Sequence, residues 1–200
     1  MGRRVVIAAI LLLGIHQAWD LYAHRPLARP PGVLVTNEPQ QREPARSAPI
    51  VRDDFTLQPL ADFEFEARVL LVSRYRWDAE SALAPYDLGI GWQRMSDTAV
   101  IDRLALSQSA RFLSWRWQDA PPIPADEITR SAANVHVIPA NAMIARQIAG
   151  LRSGQRVHAR GVLVEASRSD GWRWRSSLRR DDGGHGACEL MYVESLDVED

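Results

Sequence analysis

Residues 153–178 read SGQRVHARGVLVEASRSDGWRWRSSL, and this stretch decides the fold class. Ser153-Gly154 is a turn signal, residues 156–166 form a predicted strand, and Asp170-Gly171 indicates a tight turn into a second strand at 172–178. A third strand is predicted over residues 188–198, after a glycine-rich loop at 181–186. Three consecutive strands joined by short loops predict an antiparallel meander at this end of the chain.

The segment before the meander contains both predicted strands and predicted helices. Residues 63–77 alternate between apolar and charged side chains, which predicts a long strand with one buried face. Ser96-Asp97 is a helix-start signal for a short helix at about 96–105, and Asn141 is positioned to cap a helix that runs to residue 151. Shorter strands are predicted at 112–117 and 135–138, with one or two helical turns at 126–131. Strands therefore dominate, with two short helices of note.

The N-terminus has the features of a membrane anchor. Arg3 and Arg4 precede an apolar run at residues 5–15, and residues 5–23 reach the length of about 20 residues that a spanning helix needs, if Asp20 is included. Trp19 and Tyr22 then fall at the outer interface. We expect an uncleaved signal anchor at residues 5–23 and a cytoplasmic N-terminus at residues 1–4. A cleaved signal peptide and a helix buried in the domain are the alternatives.

Residues 24–50 are predicted to form a proline-rich linker between the anchor and a domain at residues 51–200. Six of the 12 prolines fall in this segment, which favours an extended tether reaching at most about 80 Å at about 3.1 Å per residue. Residues 33–35 form an apolar island that either docks on the domain as an edge strand or stays unbound. The expected location is the inner membrane, crossed once, with the domain outside the cytoplasm.

The charge distribution excludes one class of partner. All 24 basic residues are arginine, and acidic residues outnumber arginines over residues 51–200. Proteins that bind nucleic acid usually carry a basic excess on the binding domain, because counterion release from phosphates supplies much of the affinity. Nucleic acid is therefore not expected as a partner, although a local basic stripe is compatible with this composition.

Two resemblances add to this pattern. Residues 154–165, GQRVHARGVLVE, resemble the first strand of OB-fold domains, which opens after G-x-x-V and bends at a mid-strand glycine, here Gly161. This resemblance covers residues 151–198. Residues 86–97, 107–109 and 135–139 are similar to uncharacterised bacterial signal-anchored envelope proteins, which implies a location but no activity. The expected fold is α+β and β-rich: an N-terminal transmembrane helix plus a small OB-like or partly open antiparallel β-barrel with two short helices.

The hypothesis that the domain is catalytic depends on His136. Histidine titrates near neutral pH and serves as a general base, and Asp87 or Asp97 would be its carboxylate partner. The alternative is a histidine that only makes hydrogen bonds in the core or at its rim. Ser107 and Ser109 lack the G-x-S-x-G pattern of a hydrolase nucleophile. An envelope hydrolase is therefore the alternative hypothesis, and an enzyme is not favoured.

A binding interpretation rests on aromatic and cationic side chains. Trp172 and Trp174 alternate with Arg173 and Arg175 in a predicted strand, a combination that stacks on bases or sugars. The alternative places the tryptophans in the core and the arginines in ion pairs across the sheet. Trp92, in the glycine-containing segment 86–97, marks a second candidate surface or a plug over a barrel end.

One short motif in the sequence is a candidate for metal binding. His185 and Cys188 form an H-x-x-C pair, but a structural zinc site needs four ligands and usually shows a second pair. A solvated turn is favoured, with Cys188 as a buried inert thiol, so no metal and no cofactor are predicted. The leading hypothesis is a membrane-anchored extracytoplasmic binding or scaffold domain, whose partner is an envelope protein or polymer.

Overall fold

A computed structural model describes residues 2–179 and 188–200 of the chain. These residues form an α+β fold rich in strands, as the sequence predicted. The strands are β1 (Gln40–Arg42), β2 (Ile50–Arg52), β3 (Phe55–Arg74), β4 (Tyr86–Gly91), β5 (Ala105–Ser109), β6 (Phe112–Arg116), β7 (Ala132–Pro139), β8 (Arg156–Ser167), β9 (Arg173–Arg175) and β10 (Glu189–Glu199). The α-helices are α1 (Gly2–Ala23), α2 (Thr98–Ile101), α3 (Ala125–Arg130) and α4 (Ala142–Ala149), and a 3₁₀ helix covers Gln93–Ser96.

Five of the strands pair in a closed ring. β3 pairs with β4, β4 with β7, β7 with β10, β10 with β8, and β8 returns to β3. The β7–β10 pair is parallel, and the other four pairs are antiparallel. β1 and β2 extend the sheet along β3, β9 extends it along β8, and β5–β6 form a separate hairpin.

The main core lies inside this ring. β3 alternates buried and partly exposed residues over most of its length, and its inward side chains include Phe63, Phe65, Ala67 and Val69. This confirms the predicted period of two, although β3 begins at Phe55 and not at residue 63. Helix α4 begins at the cap that the sequence predicted. The Asn141 side chain accepts hydrogen bonds from two backbone amides at the start of α4, at 2.9 and 3.0 Å.

The predicted meander is wrong in its strand order. β9 pairs with β8 as the Asp170-Gly171 turn indicated, but β10 does not follow β9 outward: it pairs with residues 156–163 along the same edge of β8, and with β7. The physical reason is burial. β10 sends Met191, Val193 and Leu196 into the main core and needs a place within the ring. Trp174 of β9 and the preceding Trp172 pack against a second cluster of apolar residues.

Residues 24–35, which we call the collar, dock directly on the domain. Leu27 N donates to Ser153 O at 2.7 Å, Arg29 Nε donates to Gly154 O at 2.8 Å, and the amides of Leu34 and Val35 each donate to Ser96 Oγ at 3.0 Å. Val35 is 2% exposed and belongs to the main core. Instead of a free tether, the chain therefore enters the domain within a few residues of α1. β1 and β2 add further pairing before residue 53.

Helix α1 is long and apolar over Val5–Ala23, and it meets the length and composition needed to cross a membrane. A signal sequence near an N-terminus meets the same criterion. Its apolar side chains project away from the domain: Leu11 is 61% exposed and Ile15 is 66% exposed. The alternative in which this helix is buried in the domain therefore does not fit the structure.

Substituting Ser96 by alanine tests the docking of the collar. The Ser96 hydroxyl is fully buried and accepts from two collar amides, so Ser96→Ala leaves those amides without a partner and should cost about 1–3 kcal/mol of unfolding free energy. We expect faster thermolysin cleavage at residues 32–35 and a lower urea midpoint. Ser109→Ala, at an exposed hairpin position, is the control. Equal cleavage rates in the two variants would show that Ser96 does not hold the collar.

Candidate functional site

The candidate site lies on the outer face of β4 and β7. Asp87 and His136 are directly opposite each other in the antiparallel β4–β7 pair. Val135 and Val137, which flank His136, point into the main core, so alternation along the strand places His136 on the opposite face. We call five polar residues at this place the polar cluster: Asp78, Asp87, Arg111, Asn134 and His136.

Asp87 and His136 form a buried hydrogen-bonded pair. The distance between Asp87 Oδ1 and His136 Nδ1 is 2.8 Å, and the exposed fractions of the two side chains are 0% and 5%. An ionised carboxylate only accepts, so Nδ1 carries the proton of this bond; in the neutral tautomer with that proton, Nε2 is the acceptor of the ring. Within residues 2–179 and 188–200, no hydrogen bond to His136 Nε2 is present. This is the arrangement in which a carboxylate orients an imidazole.

Arg111 enters the cluster from the tip of the β5–β6 hairpin. The two residues between the paired Ser109 and Phe112 are Ala110 and Arg111, with φ values of 48° and 66°. Positive φ at both central positions is the geometry of a type I′ hairpin turn, whose twist matches that of the flanking strands. Non-glycine residues adopt it at a cost of about 1–2 kcal/mol each. The contacts of the Arg111 side chain offset this cost.

The Arg111 guanidinium is saturated with partners. It donates to both carboxylate oxygens of Asp78 at 2.8 Å, to Asp87 Oδ1 at 3.2 Å and to Ala84 O at 3.2 Å. Its carbon lies 4.3 Å from the centre of the Tyr75 ring and 5.3 Å from that of the Trp174 ring. The hydrogen bonds from Arg111 lower the pKa of Asp78, while burial and then the charge of Asp87 raise the pKa of Tyr75.

Asn134 completes the polar cluster, and Cys188 lies beside it. Asn134 Nδ2 donates to Arg111 O at 2.9 Å and lies 3.4 Å from Asp87 Oδ2, while Cys188 Sγ is 3.7 Å from Arg111 O and 3.8 Å from Asn134 Nδ2. Cys188 was a candidate metal ligand with His185, which lies outside the described residues. Among the residues that the structure describes, no three His, Cys, Asp or Glu side chains are grouped to hold a metal ion.

The tryptophans and arginines in and just before β9 point to opposite sides of the chain. Trp172 and Trp174 are half-buried against the second apolar cluster, and the Trp174 ring lies 4.8 Å from the His136 ring. Arg173 and Arg175 are exposed, and both donate to the carboxylate of Glu165, Arg173 at 2.9 Å. These bonds, from Arg175 and then Arg173, lower the pKa of Glu165. The four side chains therefore do not share one surface.

Two other residues of interest lie away from this cluster. Asp97 caps α2 and accepts from Ala99 N and Gly32 N, both at 2.8 Å, and these bonds lower its pKa. Trp92 is 2% exposed and packs in the main core. The structure thus brings Asp87, His136 and Trp174 together. Sequence reasoning missed Arg111, Asp78 and Asn134 as members of the site.

The chemistry of this arrangement is limited by its partners. An oriented imidazole beside an indole supplies one hydrogen-bonding atom next to a stacking surface. A nucleophilic mechanism needs a hydroxyl or thiol within hydrogen-bond reach of the imidazole, and among the described residues Asp87 is the only hydrogen-bond partner of His136. The described residues thus show an oriented imidazole with no nucleophilic side chain in hydrogen-bond contact.

Replacing Asp78 by asparagine tests the charge in the cluster. Because the pKa of Asp78 is lowered in the folded chain, its stabilising effect is present above its unfolded pKa of about 3.9 and is lost as the pH falls through the folded value. We expect Asp78→Asn to lower the free energy of unfolding by about 1 kcal/mol at pH 7, a value reduced because the side chain is partly exposed. The difference in unfolding free energy between this variant and wild type should disappear below about pH 4. Urea unfolding at pH 7, 5 and 3 measures this.

The control for that series is Asp119→Asn. The Asp119 carboxylate is exposed and makes no ion pair within the described part of the chain. Its replacement should leave the pH profile of stability unchanged. A difference between Asp78→Asn and wild type that stays constant from pH 7 to pH 3 would contradict the assigned ion pair.

Comparison with known proteins adds no relationship. No protein-family model matches the chain, and neither a curated protein nor a solved structure does.

Proposed function

We propose that this chain is a single-pass inner-membrane protein whose domain is a binding or scaffold module on the outer side of that membrane, for an envelope protein or polymer. The observation that carries the proposal is the collar. Residues 24–35 bond to the domain immediately after the apolar helix, so helix and domain form one connected unit. A helix in the bilayer would hold the domain at the membrane surface and limit its partners to those found there.

We further propose that the ring is an OB-like barrel. It has five strands, and α4 lies between its third and fourth strands in chain order. OB-folds are small Greek-key barrels that bind ligands on the face of strands two and three, between the loops that join strands one to two and four to five. Here strands two and three are β4 and β7, which carry Asp87 and His136. β8, the strand that resembles an opening OB strand, is fourth, and β3 takes the first place.

A pair of reporter fusions tests the membrane placement. Alkaline phosphatase joined after residue 200 should be active, because it folds only outside the cytoplasm, and the protein should remain in the membrane after carbonate extraction. A Leu11→Arg/Leu12→Arg variant, which puts two charges within α1, should abolish both results. An inactive wild-type fusion would place the domain in the cytoplasm and end the proposal.

A saccharide is the second candidate ligand class, with the half-buried Trp174 ring beside His136 in its favour. The indole would stack on a sugar ring, and a sugar hydroxyl would donate a hydrogen bond to His136 Nε2. Engagement of Arg173 and Arg175 by Glu165 weighs against phosphate contacts from β9. We expect Trp174→Ala to weaken binding to purified peptidoglycan by about tenfold, since a stacked aromatic ring contributes about 1–3 kcal/mol. Trp117→Ala, an exposed tryptophan outside the cluster, is the control. Equal losses in both variants would exclude this face.

The hydrolase alternative is favoured by one observation, the Asp87–His136 pair at 2.8 Å. In that case His136 would take a proton from an attacking water while Asp87 holds the ring. His136→Ala with normal folding should then abolish hydrolysis of an envelope substrate. Full function of that variant would remove the hydrolase and leave the binding module.

A further inference from the structure

A pocket lies at the end of α1, away from the polar cluster. It has a volume of about 580 Å³ and is lined by His24, the residue immediately after the helix, together with the end of β3, the start of β4 and residues 149–153. His24 Nε2 lies 3.0 Å from Ala149 O, which fixes this side of the domain beside the helix end. If α1 spans the bilayer, the pocket lies at the membrane surface.

The lining of this pocket is amphipathic. Arg74, Arg76 and Arg152 supply a cationic rim, Leu71 and Leu151 contribute an apolar floor, and no carboxylate lines it among the residues that the structure describes. Arg152 pairs with Asp200 at 3.1 Å, an aspartate whose side chain is 69% exposed. Arg74 and Arg76 are exposed and make no ion pair within residues 2–179 and 188–200.

An exposed tryptophan adjoins the rim. Trp77 follows Arg76 directly, in the segment between β3 and β4, and is 96% exposed. An indole that is fully hydrated in this way loses hydrophobic stabilisation, and the headgroup layer of a membrane is the environment that favours it, because the ring is apolar and its N–H is polar. Trp19 and Tyr22, near the end of α1, are exposed as well. Aromatic side chains on both the domain and the helix therefore suit the same interface.

We propose that this pocket binds the headgroup of an anionic phospholipid in the membrane that holds α1. The inference rests on the proposed membrane placement. The phosphate oxygens would accept hydrogen bonds from Arg74 and Arg76, and the glycerol and upper acyl carbons would cover the apolar floor. Trp77 would enter the headgroup layer beside the lipid. Such a contact fixes the orientation of the domain on the bilayer and thereby the direction in which the polar cluster faces.

Native mass spectrometry of the full chain in detergent tests this proposal. Phosphatidylglycerol and phosphatidylcholine with identical acyl chains are titrated, and we expect bound phosphatidylglycerol to dominate. Arg74→Ala/Arg76→Ala should lower its affinity by about tenfold or more, since each arginine near an anionic surface contributes about 1 kcal/mol. The matched control is Arg103→Ala/Arg116→Ala, two exposed arginines in a pocket of about 570 Å³ elsewhere on the domain, which should keep wild-type affinity.

Several outcomes would overturn the inference. Equal binding of the two lipids, or equal losses in the two double variants, would exclude a headgroup site at this pocket. Displacement of phosphatidylglycerol by millimolar inorganic phosphate would indicate a site for a soluble anion. The single variant Arg76→Glu, which should also lose the lipid preference, guards against misfolding of the double variant. Carbonate extraction separates the two proposals: a chain that stays in the membrane without lipid preference contradicts this inference alone.

Discussion

Replacing Arg111 by alanine is expected to lower the free energy of unfolding by about 3–5 kcal/mol, the largest effect of any single substitution proposed for this chain. Arg111 is the cation that lies between Asp78 and the fully buried Asp87, and the exposed fraction of its side chain is 11%. Without it, a buried carboxylate loses its ion pair, and the carbonyl of Ala84 loses its donor. Removing one member of a buried ion pair costs more than the pair contributes, because the remaining charge stays out of water.

Urea unfolding of three variants isolates this effect. Arg111→Ala is compared with Arg116→Ala, an exposed arginine of the same hairpin, which should change stability by less than about 0.5 kcal/mol. The double variant Arg111→Ala/Asp87→Asn should recover part of the loss, because asparagine removes the unpaired charge. If Arg111→Ala lowers the unfolding free energy by less than about 1 kcal/mol, Arg111 is not the cation that stabilises the buried Asp87.

Replacing Gly161 by alanine is expected to cost about 3 kcal/mol, at the upper end of the range for overpacking. Gly161 lies in β8 between Phe63 of β3 and Val193 of β10, so two backbones approach it from opposite sides. A Cβ at this position would overlap the carbonyl oxygen of Tyr192 and lie 3.1 Å from the Cα of Val193. Because these neighbours are backbone atoms, β10 itself would have to move, next to the irregularity between Val193 and Ser195.

Gly150→Ala is the control for this substitution. A Cβ at Gly150 would meet only carbonyl oxygens at 3.6 and 3.7 Å, which is ordinary contact, and its φ of −92° suits any residue. Thermal or urea unfolding of the two variants should therefore differ by several kcal/mol. Similar stability of both would show that β10 has room to shift and that the close approach at Gly161 is not a constraint.

Periodicity explains which elements the sequence could predict. β3 and β8 have one face toward the core and show clear alternation, and Asn141 caps α4 through a local side-chain bond. β4 was missed because all six of its residues are buried. Leu113 of the hairpin covers Gly89 from outside, so neither face of β4 is exposed to solvent. A strand covered on both faces shows no alternation, and its two glycines suggested a loop.

The site was predictable only in part. His136 with Asp87 was one of two proposed pairs, and strand pairing alone decides between Asp87 and Asp97. Arg111 gave no signal, because a type I′ turn is recognised by Asn-Gly or Asp-Gly and here consists of Ala-Arg. For the pattern Trp-Arg-Trp-Arg the sequence left two interpretations open, and the structure fits the one with half-buried tryptophans and with arginines in ion pairs across the sheet. Long-range pairing supplies what local sequence lacks.

The position of β10 in the ring has a consequence for biosynthesis. β10 follows the other four ring strands in chain order, yet it supplies the partner for both β7 and β8. While a ribosome is still adding residues 189–199, both of those strands keep an unpaired edge, and edges of that kind pair readily with other chains. The nascent domain therefore stays open to aggregation until its synthesis is nearly finished, and its folding depends on contacts of high sequence separation, which form slowly.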